Sequence, residues 1–415
     1  MILNARLCIL QPMPRRALTP LLSLLAAVLF LLAPRPLHAQ PDRYDRLMRD
    51  LLIFDAHIDT PRYFLDENYK LADEHGYYEL DLPRMKKGHL GAVFFGIYAQ
   101  PQDYPPQLWL PRSLEVLDAL HREVAANRDQ IEFATTAADV ERIHASGRRA
   151  ALASLEGGHL IADSLPILRN FYRLGVRYMT LAHFATNSYS DSMTDAPAHN
   201  GLSNKGRELV REMNRMGMIV DVSHISDKAV LDAAAESRAP VIASHSSVKA
   251  IAPIVRNMPD EVIQAIAKKG GVICINFHAG YLDQSAYDVY IKNRPARDQE
   301  IKDVLALHAN DPSRWELVRG IQRRYFAKMP KVDYQLLLRH IDHVAKLAGP
   351  DHVALGSDFD GISGMAPTGM ATVADYPNLV KGLIDMGYND TDIRKIMGLN
   401  LVRVLRQTEE AAEKK

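Results

Sequence analysis

From about residue 50 onward, short and nearly continuous apolar runs alternate with stretches of helical periodicity. The runs fall at 51–57 (LLIFDAH), 90–98 (LGAVFFGIY), 150–156 (AALASLE), 176–183 (VRYMTLAH), 218–224 (MIVDVSH), 241–245 (VIASH), 272–278 (VICINFH) and 352–358 (HVALGSD). They lack the strict alternation of a half-exposed strand, so they read as strands buried on both faces. Amphipathic patterns at 204–216, 226–237, 260–269, 334–347 and 376–386 lie between runs or after the last one. Strand–helix alternation predicts a parallel sheet, and eight such units favour a closed (β/α)₈ TIM-type barrel over an open sheet. No Gly-rich dinucleotide loop follows the first run. The barrel is expected over residues 40–408, as one catalytic domain. The stretch 281–333, with helical patterns at 298–308 and 313–327, reads as an insertion over one rim, and 409–415 as a charged tail.

The N-terminus follows a different pattern. Arg15 and Arg16 precede an apolar run, Ala17–Ala33, and Leu37-His38-Ala39-Gln40 follow it. This is the layout of a secretory signal, with cleavage expected after Ala39. Pro20, Pro34 and the modest apolar length argue against a stable membrane anchor. The mature protein is therefore expected to be exported, either periplasmic or secreted. Loss of 1–39 removes four basic residues (Arg6, Arg15, Arg16, Arg35) and no acidic ones, taking the formal net charge from +0 to −4. No basic surface is implied, which argues against nucleic acid as a partner. Cys8 leaves with the signal, so Cys274 remains alone and no intrachain disulfide can form. Cys274 sits within an apolar run and reads as core.

The chemistry gathers at the ends of the runs. Of 16 histidines, five (His57, His183, His224, His245, His278) close a predicted strand. A lone strand-end histidine is usually structural. Five at equivalent ends point to a metal or catalytic site, because the C-terminal ends of barrel strands converge on one face. Asp59 lies two residues after His57, on the same side of an extended chain. Glu156 closes the third run, directly before Gly157-Gly158, where the backbone can turn tightly. Asp358 closes the eighth. Imidazoles with carboxylates suit zinc, and a shared carboxylate can hold two ions about 3.5 Å apart. The chain has no Gly-x-Ser-x-Gly elbow and no Walker loop.

These residues stand in blocks that resemble the membrane (renal) dipeptidase family of zinc metallopeptidases. The blocks are Asp55-Ala56-His57-Ile58-Asp59-Thr60-Pro61, Leu155-Glu156-Gly157-Gly158, Leu181-Ala182-His183, Asp221-Val222-Ser223-His224, Ser244-His245-Ser246-Ser247, Arg256-Asn257-Met258-Pro259-Asp260 and Gly356-Ser357-Asp358-Phe359-Asp360-Gly361. They run in consistent order from about Ile53 to Arg403. The resemblance implies a (β/α)₈ barrel of the metal-dependent amidohydrolase kind. It implies two Zn²⁺ per chain: one on His57 and Asp59, the other on His224 and His245, with Glu156 bridging. His183 would stabilise the oxyanion and Asp358 would act as general acid/base. Arg256 would receive the substrate carboxylate, with Tyr281 beside it in the pocket. A homodimer is also implied. The 281–333 insertion is longer than the corresponding loop of mammalian members. No hydrophobic tail follows Arg403, so a lipid anchor of the mammalian type is not expected.

The expected activity is zinc-dependent hydrolysis of dipeptides with a free C-terminal carboxylate, through a metal-bridging hydroxide. Two other readings compete with it. A related amidohydrolase would act on another amide, a lactam or an N-acyl amino acid with the same ligands. A non-catalytic exported binding protein would keep the barrel without the chemistry, and the complete ligand set with Asp358 argues against it.

Overall fold

The computed structural model describes residues 42–309, 311 and 313–413. The signal segment expected at 1–39, with Cys8, lies outside the described residues. Among those residues nine parallel strands form one sheet: β1 Ile53–Ile58, β2 Leu90–Ile97, β3 Ile131–Phe133, β4 Arg149–Glu156, β5 Val176–Thr180, β6 Ile219–Asp221, β7 Val241–Ser246, β8 Val272–Ile275 and β9 Val353–Leu355. Their order is β2-β1-β9-β8-β7-β6-β5-β4-β3, and β2 also pairs with β4. That last pairing runs from Ala92↔Ala150 to Ile97↔Leu155 and closes an eight-stranded barrel. β3 hangs on the outside of β4, with Ile131 opposite Arg149. The eight expected runs all supply barrel strands, whereas β3 was not expected.

Burial explains the continuous apolar runs. Every residue of β1, β2 and β7 is buried, because each strand meets neighbouring strands, the barrel interior and a helical layer. Cys274 is free and buried in β8, as a core residue. The helices begin and end where local chemistry directs. Asn204–Met216 starts behind Ser203, whose side chain accepts from the Gly206 N–H, and stops at Gly217 with φ +80°. Asp227–Glu236, Asp260–Lys268, Tyr334–Ala348 and Tyr376–Asp385 match the other helical patterns within two residues.

The 281–333 stretch forms a short turn of helix, Ala279–Leu282, then two longer helices, Gln284–Leu307 and Arg314–Phe326. The second of these leans on the segment that follows β1. Trp315 Nε1 donates to the Asp66 carbonyl at 3.2 Å, and Tyr77 donates to Glu316 at 2.9 Å. Arg319 pairs with Glu67 at 2.5 Å. No helix of the described residues is long and apolar enough to cross a membrane.

Candidate metal centre and active site

The strands stop earlier than their apolar runs. β5 ends at Thr180, β6 at Asp221, β8 at Ile275 and β9 at Leu355. His183, His224, His278 and Asp358 therefore stand on the loops just beyond, while His57, Glu156 and His245 remain in strands. Two of these loop positions, and Asp360 beside them, are conformationally special. His224, Asp358 and Asp360 have φ of 68°, 63° and 65°, values that non-glycine residues seldom adopt and that recur at functional sites. Glycine opens the space beside them. A Cβ on Gly96 of β2 would lie 2.4 Å from Asp59 Oδ1 and 3.0 Å from His57 Cε1. Gly157, at φ +123°, turns the chain directly after Glu156.

Glu156 Oε1 is the centre of the cluster. Around it stand Nε2 of His224 at 3.1 Å, His245 at 3.3 Å, His183 at 3.4 Å and His57 at 3.7 Å. Asp59 Oδ1 is 3.1 Å from His57 Nε2. The donor atoms gather in three overlapping groups: His57 with Glu156 and His245, Glu156 with His183 and His224, and His57 with Asp59 and Asp358. Glu156 belongs to two groups, as a bridging carboxylate would. His183, expected only as an oxyanion donor, lies as near Glu156 as the expected ligands do.

Outer contacts fix the imidazole tautomers. Tyr178 donates its hydroxyl hydrogen to the Ala56 carbonyl at 3.0 Å, so its oxygen accepts from His57 Nδ1–H at 2.6 Å. Ser244 donates to Asp221 at 2.7 Å and accepts from His245 Nδ1–H at 2.8 Å. Each arrangement leaves the Nε2 lone pair facing Glu156, as a metal ligand requires. Asp221 also accepts from the backbone N–H of Ser223 and Ser244 and from Thr180 Oγ1. Asp55 accepts from the N–H of His57 and Ser357 and from the Tyr376 hydroxyl, tying β1 to the Asp358 loop.

The electrostatics fit a cation. Burial holds His183, His224 and His245 well below the usual imidazole range, so they are neutral. Burial opposes a charge on His57 too, but the pull of Glu156 and Asp59 outweighs it and raises His57 to about 10. Glu156 is pushed up by burial, and Asp358 by burial and the Asp59 charge to about 7. Crowded carboxylates thus favour positive charge at their centre, and a divalent ion supplies it better than a proton. His57 Nε2 and Asp59 Oδ1 are buried without a hydrogen-bond partner, as donor atoms aimed at an ion would be. The residues present therefore fit a metal.

The remaining expected residues frame this cluster. Asp358 is partly exposed and accepts from Asn276 Nδ2 at 3.0 Å. Arg256 is 3% exposed, and its guanidinium lies 5.5 Å from the Tyr281 ring. Its Nη2 is 3.1 Å from His224 Nε2 and 3.3 Å from the His245 carbonyl, and no carboxylate of the described residues pairs with it. His278 does not join the donor groups. Its Nδ1 accepts from the Gly280 N–H, and its ring stacks on Tyr281 at 4.2 Å. The orienting residues Asp55, Tyr178, Asp221, Asn276 and Tyr376 were not singled out from sequence. Only the two aspartates had a visible signal, as acids inside apolar runs.

A model of the membrane dipeptidase family, peptidase family M19, matches residues 41–415. Dipeptidase tcpJ of Claviceps purpurea (strain 20.1) is 38% identical over 341 residues, spanning 80% of this chain and 70% of the relative. Dipeptidase verJ of Clonostachys rogersoniana is 31% identical over 390 residues, 89% of this chain and 87% of the relative. The probable dipeptidase PvdM from Pseudomonas aeruginosa superposes with a TM-score of 0.76 at 27% identity, covering 89% of this chain and 98% of that one. A metallo peptidase from Rhodobacter sphaeroides, liganded with a phosphinate mimic of the dipeptide L-Ala-D-Ala, gives 0.70 at 27% identity, covering 86% and 99%.

Proposed function

Because the chain belongs to the membrane dipeptidase family and is thereby a metallo-dipeptidase, we propose that it works with two zinc ions, held by His57 and Asp59 on one side and His224 and His245 on the other, with Glu156 shared. The observation that carries this reading is the convergence of four imidazole Nε2 atoms on Glu156 Oε1 within 3.7 Å. Zinc held there would acidify a water near neutral pH and polarise the scissile carbonyl. The chain's own residues do the rest. Asp358, reachable from solvent and steadied by Asn276, takes the proton of the attacking water and passes it to the leaving amine. The neutral His183 offers a ring N–H to the oxygen on which charge develops. Arg256, buried without an acidic partner, binds the free C-terminal carboxylate as a planar two-pronged donor, with Tyr281 against its face. That contact favours substrates that end one residue past the scissile bond.

The N-terminal pattern supports a mature chain outside the cytoplasm, starting near Gln40, with the barrel over 40–408. A homodimer is part of the dipeptidase reading. Elemental analysis and a dipeptide panel, each with and without chelator, test the function. Dipeptidase activity at full strength in metal-free protein would end the zinc proposal. Intact mass of native material tests export, and a mass that keeps 17–33 would point to an anchor instead.

A further inference from the structure

Arg62 is a second cation of the active site. It sits in the helix Pro61–Asp66, three residues after the proposed ligand Asp59. Its guanidinium lies 4.6 Å from the Tyr63 ring and 5.8 Å from the Tyr98 ring, and its Nη2 donates to the Tyr63 hydroxyl at 2.7 Å. Tyr98 in turn stands edge-on to His183, ring centres 6.2 Å apart. Among the described residues no carboxylate lies within ion-pair distance of Arg62, whereas most arginines of this chain have one. Its Nε is buried with no acceptor, yet the side chain as a whole is partly exposed. The charges of Asp59, Asp103 and Asp360 reach it, but none closes to an ion pair, so the guanidinium fork keeps donors that a substrate carboxylate can take.

Topology supplies the direction. Around the closed barrel the strands run β1, β9, β8, β7, β6, β5, β4, β2. β2 and β7 are therefore four strands apart either way, on opposite sides of the mouth. Tyr98 follows β2 directly, and Arg62 follows β1 beside it. Arg256 stands in the loop after β7. Two arginines, each laid against tyrosine and neither in an ion pair, thus stand on loops from different sides of the barrel mouth.

We infer that Arg62 is a specificity-determining residue that binds a carboxylate on the side chain of the substrate's N-terminal residue. This rests on the dipeptidase reading above. With the C-terminal carboxylate on Arg256 and the scissile bond over the cluster, the N-terminal residue extends toward β1 and β2. An aspartyl or glutamyl side chain there meets the fork of Arg62, while the tyrosine rings exclude water around it. The preferred substrates are then dipeptides whose N-terminal residue is acidic.

The test compares L-Glu-Ala with L-Gln-Ala, near-isosteric but differing in charge, with Ala in both configurations and L-Ala-Ala as reference, on zinc-loaded protein. A charge-assisted contact predicts a Glu/Gln ratio in kcat/KM of about 10 to 100 for the wild type. Arg62→Met, which keeps the stem without the charge, should bring the ratio to about one, chiefly through KM for the glutamyl substrate. Arg62→Lys should leave an intermediate ratio. A wild-type ratio of one or less overturns the proposal, as does an Arg62→Met protein that keeps the wild-type ratio. If Arg62→Met does not fold, the wild-type and Arg62→Lys ratios decide, and a wild-type ratio that Arg62→Lys leaves unchanged counts against the role. Failure to cleave any dipeptide of the panel would strike the dipeptidase reading itself. Cleavage of Ala-Ala with no glutamyl preference would strike Arg62 alone.

Discussion

The Tyr178 hydroxyl oxygen stands 2.6 Å from His57 Nδ1, and its hydrogen goes to the Ala56 carbonyl at 3.0 Å. Tyr178 lies on β5 and His57 on β1, so this contact crosses the barrel interior rather than linking neighbouring strands. It sets which imidazole nitrogen is free to bind metal. Tyr178→Phe keeps the ring and removes the hydroxyl, which is both the acceptor for His57 and the donor to Ala56. Outer-shell losses of this kind typically lower metal affinity about 10- to 100-fold. Competition with a chromophoric chelator should register that drop. An unchanged affinity would show that packing alone orients His57.

Chelation should abolish dipeptide hydrolysis, and added Zn²⁺ should restore it. Glu156→Gln is the sharper variant of this test. It keeps the size of the side chain but removes the charge that lets one carboxylate serve two donor groups. Metal per chain, read by elemental analysis after dialysis, should fall below the wild-type value. A variant that retained all its metal would show that Glu156 is no bridge.

Stability should depend on pH through His340. This ring is fully buried. Nδ1 accepts from the Val248 N–H and Nε2 donates to the Leu282 carbonyl, both at 3.1 Å. Burial lowers it to about 4. Between the ordinary imidazole range near 6.5 and that value, the unfolded chain binds a proton that the folded chain refuses. Stability is therefore present above this window and is lost as pH falls through it, by about 3 kcal/mol in all. His340→Gln can still accept and donate but does not titrate. Its Tm should fall less than the wild type's between pH 7 and pH 4.5. Equal falls would place the acid sensitivity elsewhere.

The apolar runs foretold the barrel because parallel strands covered on both faces have no polar face to interrupt them. β3 escaped notice because three residues, Ile131–Phe133, on the outer flank of β4 make too short a run. Strand ends were read too long for a related reason. The segments 181–183 and 222–224 stay buried over the site although they leave the sheet, and hydrophobicity reports burial rather than pairing. Strand-end position singled out His57, His183, His224 and His245, which the fold gathers around Glu156. It could not separate them from His278, whose ring turns to Tyr281. Contacts such as Asn276 with Asp358 join residues far apart in the chain, and no local pattern encodes them.

Asp358 and Arg256 should fail in different ways when altered. Asn is a suitable replacement for Asp358 on two counts. It tolerates the left-handed backbone found there, φ 63°, and it keeps the reach of the side chain. It cannot take up the proton of the attacking water. General acid/base groups contribute about 10²- to 10⁴-fold, so kcat of Asp358→Asn should fall by that order while zinc content stays near normal. Arg256→Ala removes a binding contact, so KM should rise steeply, with a smaller loss of kcat as orientation relaxes. C-terminally amidated dipeptides separate the two further. They lack the charge that Arg256 binds and should be poor wild-type substrates. Arg256→Ala should discriminate little between acid and amide, whereas Asp358→Asn should still prefer the acid. Near-normal kcat in Asp358→Asn would remove it as the proton carrier. Loss of all zinc in that variant would instead make Asp358 a ligand first, in keeping with its place beside His57 and Asp59 in the third donor group.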